Sequence, residues 1–281
     1  MVTGKGLSRR CFIAGATLAG LLSPRAAFAG TPGRIVVLDW ALAETLIALG
    51  VMPLAVAEAP LYAQRVITPA LPPGTRDVGL RSWPNLEGLR ALRPDLILTL
   101  EGYGVPPDRL EQITPVRALP LYTAQRRPLQ LARDAVADLA TLTGREAQGA
   151  LVLADLQAAL AQVWPDDRPM LIVKFADDRI IDIYGPGSLF HDVLEATGRR
   201  NPWRGPTNIW GFASAGLEEL ARHPESHLVI IEPAPPDRLR HSAIWQALPQ
   251  VRAGHISILP PVWVFGGVPA ATRFATLLGA A

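Results

Sequence analysis

The segment LRSWPNLEGL, residues 80–89, sets an arginine and a tryptophan, Arg81 and Trp83, on a short stretch before a helix start. Pro84 suits a first helical turn, and Leu86, Leu89 and Leu92 recur at the spacing of a helix packed on a core. Arginine and tryptophan are the residue types most able to hold a ligand, although an exposed loop charge is the plainer reading of any single arginine.

Catalytic chemistry finds little support. The only cysteine, Cys11, lies in the N-terminal segment, and there is no G-x-S-x-G elbow, P-loop or H-E-x-x-H pattern. Ser188 in GPGSLF reads as a loop and helix cap. Ser188 and His191, three apart on one helix, make poor triad geometry. The five histidines are scattered. His223 and His227 have a spacing that serves a metal on a helix, but Pro224 between them argues for a turn. No metal site, resident cofactor or enzymatic activity is expected. Tryptophan is more informative. Trp40 follows IVVLD, Trp210 lies in TNIWGF and Trp263 in PPVWVFGG, beside glycine and proline, where aromatics often line a site. Together with Trp83, Trp203 and Trp245 they suggest an aromatic-walled cleft.

The elements that would position these residues alternate short apolar runs with helical patterns, the α/β signature. RIVVLDW (34–40) predicts a strand and ALAETLIALG a helix ending at Gly50; PDLILTLEGYG (94–104) predicts a strand entering a glycine-flanked loop, followed by the helix PPDRLEQI. The second half repeats this order. RIIDIYGPGSLFHDVLEATG (179–198) gives strand, glycine loop and helix, and GLEELARHPESHLVII (216–231) matches NLEGLRALRPDLILTL (85–100). An echo at two places in the same order implies two similar α/β lobes, over residues 30–142 and 166–281. Between them, TGREAQGALVLADLQAALAQVW lacks proline and is rich in helix formers. It predicts one long, rigid connecting helix over 143–165, about 33 Å long, with a ligand cleft between the lobes.

Residues 1–29 read as an export signal: a basic start, an apolar middle too short to span a membrane, and small residues at Ala27 and Ala29. Ser8-Arg9-Arg10-Cys11-Phe12-Ile13 resembles a twin-arginine signal; an ordinary secretory signal is the alternative. The net charge of +2 comes from this segment, which holds four basic residues and no acid. The remainder is slightly acidic and, with no cysteine, cannot form a disulfide or thiolate site, so a nucleic-acid partner loses its compositional support.

The chain resembles the periplasmic ferric-hydroxamate siderophore-binding proteins, substrate-binding components of ATP-driven importers in the helical-backbone group. The blocks RIVVLDWALAETLIALGVMPLAVAE, DVGLRSWPNLEGLRALRPDLIL, GYGVPPDRLEQITP, YGPGSLFHDVLEATGRRNPWRGPTNIWG and IWQALPQVRAGHISILPPVWVFGG carry the resemblance over nearly the whole chain after the signal. The first two are shared in looser form with cobalamin and haem binders; the Gly-Tyr-Gly, Thr-Asn-x-Trp-Gly and Pro-x-Val-Trp blocks are more specific to the hydroxamate branch. The resemblance implies that Arg81 hydrogen-bonds the iron-coordinating oxygens and that Tyr103 donates to the same centre. It places Trp210 in the cleft, Trp263 and Phe265 on the aromatic wall of the second lobe, and Trp40 at a matching site after the first strand. It also implies one permease-docking acid per lobe, Asp108 and Glu218, with helix capping as the competing explanation. The sequence departs from the family at Thr99, where a tryptophan is usual, and at Trp83, which has no counterpart.

Such a ligand already satisfies its metal, since three hydroxamates supply six oxygens and roughly cancel the ferric charge. The protein then needs no metal ligands. A planar arginine fork and a phenol suit the oxygen patch, and tryptophan faces suit the ligand body. A tri-catecholate complex would call for several convergent arginines, which the sequence does not reveal. Haem, cobalamin and a siderophore-modifying hydrolase are the rival readings. The expectations are a periplasmic monomer that delivers a ferric hydroxamate to an inner-membrane ABC permease.

Overall fold

The computed structural model describes residues 31–162 and 167–280, together with Met1. The export-signal reading and the last residues of the expected connector therefore lie outside the described residues.

The first lobe is built on a parallel sheet of β1 (Ile35–Val37), β2 (Ala55–Val56), β3 (Arg76–Asp77), β4 (Leu96–Leu100) and β5 (Val116–Leu119), in the order β3-β2-β1-β4-β5. The helices α1 (Trp40–Ala48), α2 (Ala59–Arg65), α3 (Leu86–Leu92) and α4 (Pro107–Glu111) lie between its strands in the chain. Every residue of β4 is buried, as expected where helices cover both faces of a parallel sheet. Asp39 ends the first strand segment and starts α1. Its carboxylate accepts from the backbone N–H groups of Ala41 and Leu42 at 2.8 and 3.3 Å. Trp40 is therefore the first helical residue rather than the end of a strand.

The second sheet comprises β6 (Met170–Phe175), β7 (Ile180–Tyr184), β8 (Phe212–Gly216), β9 (His227–Ile231) and β10 (Ile256–Leu259), in the order β10-β9-β6-β7-β8. Counted within each lobe, the strand path is the same as in the first. The directions differ. In the first lobe α1 carries the chain from β1 to a parallel β2. In the second, a tight turn joins β6 directly to β7, which must then run antiparallel. The Asp177 carboxylate holds that turn by accepting from Arg179 and Ile180 N–H at 2.7 and 2.8 Å. The α7 helix (Leu189–Ala196) follows β7, and Ser188 caps it by accepting from His191 N–H at 3.1 Å. A 3₁₀ helix, Leu217–Arg222, precedes β9, and the short helices α8 (Asp237–Arg240), α9 (Ala243–Ala247) and α10 (Pro249–Arg252) precede β10.

Between β5 and β6 the chain forms two helices, α5 (Pro128–Thr143) and α6 (Glu146–Leu160); α6 alone falls within the range 143–165 expected for the connector, and α5 precedes it. Gly144, at φ 64°, ends α5 in a left-handed cap. At 15 residues, α6 spans about 22 Å rather than 33. The two helices pack closely: a Cβ at Gly149 of α6 would come within 2.8 Å of the Ala140 methyl of α5. Each sheet has two apolar faces. Val36, Leu38 and Ile97 serve a core private to the first lobe, and Leu171, Val173 and Ile230 one private to the second. Their alternating neighbours, Ile35, Val37 and Leu98 in the first lobe and Ile172, Val229 and Ile231 in the second, join one continuous core. Helices α1, α5, α6, α7 and α11 (Val268–Gly279) fill that shared core, so apolar packing ties the lobes together.

Candidate ligand cleft

In the first lobe the cleft residues follow the carboxyl ends of parallel strands, where ligand sites of open α/β sheets form. Asp39 follows β1, Glu58 follows β2, Arg81 follows β3 and Tyr103 follows β4. From the second lobe come Phe212 on β8 and the segment 261–265 after β10.

Arg81 lies at the centre. Its Nε donates to Glu58 Oε2 at 2.7 Å, and both side chains are mostly buried. The guanidinium carbon stands 4.0 Å from the Trp40 ring and 5.0 Å from the Trp263 ring, the latter from the opposite lobe. Glu58 is set for this task by a left-handed backbone (φ 52°), and its N–H donates to Gly79 O at 2.8 Å, just ahead of the turn carrying Arg81. With Nε occupied, the two terminal nitrogens of Arg81 have no hydrogen-bond partner among the described residues. They are the donors left for a ligand. Asp39 beneath is fully buried, and burial pushes its carboxyl up to about 6, against the opposing pull of the Arg81 charge and of the backbone N–H groups at Leu42, Ala41 and Trp40.

Two chambers share Arg81, Phe212 and Phe265 in their walls. One of about 220 Å³ is lined by Asp39, Arg81, Tyr103, Trp210, Phe212 and Phe265. The other, about 640 Å³, is shared between Gln64, Arg65 and Arg81 of the first lobe and β6, β7 and the 261–265 segment of the second. Aromatic rings run across the junction. Tyr103 meets Trp210 edge-on at 5.6 Å, Trp210 lies 5.4 Å from Tyr122 and 5.3 Å from Phe265, and Phe265 meets Trp263 at 5.4 Å. The Tyr122 hydroxyl donates to Gly266 O at 3.2 Å, a further tie between the lobes.

The structure thus brings Arg81, Tyr103, Trp210, Trp263 and Phe265 to one cleft. Trp40 is a correction. As the first residue of α1 it turns inward, is wholly buried, and gives its indole N–H to Ala57 O at 2.8 Å, so it touches Arg81 rather than any ligand. Trp83 is 71% exposed and lines neither chamber. Sequence reasoning missed Glu58, whose role depends on a tertiary contact, and Phe212, two residues after Trp210. It also missed Lys174, a lone cation in the apolar strand MLIVKF. The expectation that cations do not converge is corrected as well. Arg65, Arg81 and Lys174 all line the larger chamber, but Asp182, paired opposite Lys174 across β6 and β7, and Glu232 line it too. With Glu58 on Arg81, the charges of the cleft roughly cancel. Burial and the nearby Arg65 lower the Lys174 amine from its usual range, with Asp182 opposing.

Ser188 is fully buried, its hydroxyl donating to Gly185 O at 2.8 Å and accepting from His191 N–H at the start of α7, as expected of a helix cap. His223 and His227 fall on a helix end and a strand. No cluster of three or more metal-binding side chains occurs among the described residues. Asp108 and Glu218 are both exposed, in the first turns of α4 and of the 3₁₀ helix Leu217–Arg222.

The sequence profile of the periplasmic binding protein family matches residues 35–262. The iron(3+)-hydroxamate-binding protein FhuD of Escherichia coli K12 is 33% identical over 283 residues, spanning 97% of this chain and 95% of that protein. The siderophore-binding protein FhuD from Vibrio cholerae, solved with Fe3+-Desferal bound, is 31% identical with a TM-score of 0.81, covering 88% of this chain and 96% of that one. At 17% identity and a TM-score of 0.71, the petrobactin-binding protein YclQ from Bacillus subtilis shares the fold, over 89% of this chain and 90% of its own.

Proposed function

This chain belongs to the periplasmic binding protein family, and from that membership we propose that it captures ferric hydroxamate siderophores and delivers them to an ABC permease of the inner membrane for iron uptake. The observation that carries the reading is Arg81: a guanidinium clamped by Glu58 and packed against the adjoining rings of Trp40 and Trp263, with its terminal donors free where two chambers share its side chain.

A ferric tri-hydroxamate is nearly uncharged as a whole but carries partly negative oxygens around the iron. The free Arg81 nitrogens and the Tyr103 hydroxyl are suited to those oxygens, while Trp210, Phe212, Trp263 and Phe265 cover the organic body. The near balance of charge in the cleft suits a neutral complex better than one bearing about three negative charges, which would leave a net deficit of cations. A chamber of 640 Å³ lies within the range of small-molecule sites, about 300–1,000 Å³. Iron arrives as cargo inside its chelator, so the protein supplies no metal ligand and needs no cofactor, and the protein acts by binding rather than by catalysis. The N-terminal segment directs the chain to the periplasm, where it works as a monomer.

Titration of tryptophan emission with ferric hydroxamates, a ferric tri-catecholate, haem and cobalamin tests the proposal. Hydroxamates are expected to quench emission with micromolar or tighter affinity, about −8 kcal/mol. Saturation by haem or cobalamin, with every hydroxamate failing, overturns it.

A further inference from the structure

Arg126 stands at the corner between β5 and α5 with a left-handed backbone, φ 56°, which a long side chain holds only where its surroundings impose it. Its guanidinium leaves the first lobe and grips the second. Nη1 donates to Asn208 O at 2.9 Å, and Nη2 donates to Pro186 O and Thr207 Oγ1. The plane lies flat on Gly187, where a Cβ would come within 2.7–2.9 Å of Nη2, Cζ and Nε. The three nearest atoms to such a Cβ all belong to this one side chain.

The segment held this way carries Trp210. Asn208 Oδ1 accepts from the N–H groups of Trp210 and Phe212 at 2.9 and 3.2 Å, closing the turn on itself. Gly211 O accepts from Gly185 N–H at 2.9 Å, and Gly211, at φ 81°, has no room for a side chain against Ser188. The turn 207–211 is therefore pressed onto 185–188, and Arg126 spans both. Trp210 projects from it onto Tyr103 and Tyr122 of the first lobe. A second tie lies alongside, from Leu129 N–H to Asp192 Oδ2 at 3.0 Å. Arg126 itself lines neither chamber.

We propose that Arg126 is a positioning residue for ligand binding: it locks the Trp210 turn to the first lobe before ligand arrives, so the ligand meets a finished aromatic wall. A wall already ordered spares the bound complex the entropy of ordering it. The inference rests on the siderophore reading of the cleft for its ligand, though the lock is tested without one.

The test compares wild type with Arg126→Ala, Arg126→Lys, Trp210→Ala and the double variant Arg126→Ala/Trp210→Ala, each first shown by thermal melting to be folded. In ligand-free protein, hydrogen–deuterium exchange over residues 205–212 should rise in Arg126→Ala while β6 and β9 keep their protection. By calorimetry, Arg126→Ala should weaken binding of ferric Desferal about tenfold, and Arg126→Lys should recover only part, because one ammonium cannot reproduce the fork. In the Trp210→Ala background the same substitution should cost about twofold or less, since the group through which Arg126 acts is gone. Unchanged exchange overturns the lock, and equal losses in both backgrounds overturn its action through Trp210. A wild type that fails to bind any ferric hydroxamate counts against the proposed function, while the exchange measurement still decides the lock.

Discussion

The side chain to which we assign recognition is Arg81, and its surroundings set how its variants should behave. Glu58 takes Nε, and the adjoining rings of Trp40 and Trp263 pack against the guanidinium, so the remaining donors are aimed at little entropic cost. Arg81→Ala is expected to weaken ferric hydroxamate binding by about 2–5 kcal/mol, and Arg81→Lys to restore only part. Calorimetry decides this; equal affinity of wild type and Arg81→Ala would leave Arg81 as a structural partner of Glu58 with no part in recognition. Tyr103→Phe keeps the ring against Trp210 and removes one donor, so a loss of about 1 kcal/mol is expected in the same titration. Arg81, Tyr103, Trp210, Trp263 and Phe265 were legible because each sits in a short loop beside glycine or proline, inside a block that matches the family. Glu58 was not, because nothing local reveals that a left-handed residue after β2 reaches the turn after β3. Trp40 was misread for a local reason. Aspartate before tryptophan looked like a strand end, whereas Asp39 caps a helix and turns the ring into the core.

At the scale of elements, α1 and α11 come from different lobes and meet through a buried acid. Glu44 Oε1 accepts from Gly267 and Ala270 N–H at 2.6 and 3.2 Å, at the start of α11, and Oε2 has no hydrogen-bond partner among the described residues. Burial pushes its carboxyl up to about 8; the two N–H bonds pull the other way, and the nearby Asp39 adds to the rise. The folded protein therefore keeps a proton that the unfolded chain releases near 4.5. The resulting stability is fully present below about 4.5 and is lost as pH rises through about 8. Glu44→Gln keeps an acceptor oxygen and cannot ionise. Its melting temperature relative to wild type should therefore climb between pH 5 and 8.5, by an amount equivalent to a few kcal/mol. Parallel melting curves across that range would show that Glu44 does not titrate there. The alternating elements and the two-lobe echo were legible from apolar periodicity. The bounds of the connector were not: the expected range opens on Thr143 and Gly144, which end α5, and runs past Leu160, where α6 stops, because propensity alone does not mark a helix end. The antiparallel β7 was hidden because a strand's direction depends on how the chain returns, here by a four-residue turn rather than a helix.

For the molecule as a whole, the shared core makes the two lobes a single apolar body, with ties at Tyr122–Gly266, Leu129–Asp192 and Glu44–Gly267 besides. A body of that kind is suited to presenting both lobes to a membrane partner in fixed relation. Asp108 and Glu218 are the acids proposed for that contact, one on each lobe, both exposed. The competing explanation, local stabilisation of a helix start, is weak in this setting. The α4 helix has five residues and the other is a six-residue 3₁₀ helix, too short to sum a large dipole, and neither acid is the capping residue of its helix. Replacing both by alanine should therefore leave the melting temperature and the affinity for ferric hydroxamate nearly unchanged. Salt-sensitive association with the permease should weaken, because exposed charges act through a field that salt screens within about 10 Å. Iron uptake in cells that depend on the hydroxamate should fall with it. A double variant that melts earlier but transports normally at permissive temperature would assign both residues to the helices; normal melting with normal uptake would place the docking contact elsewhere on the surface. Loss of uptake with intact ligand binding is the outcome expected if Asp108 and Glu218 meet the permease.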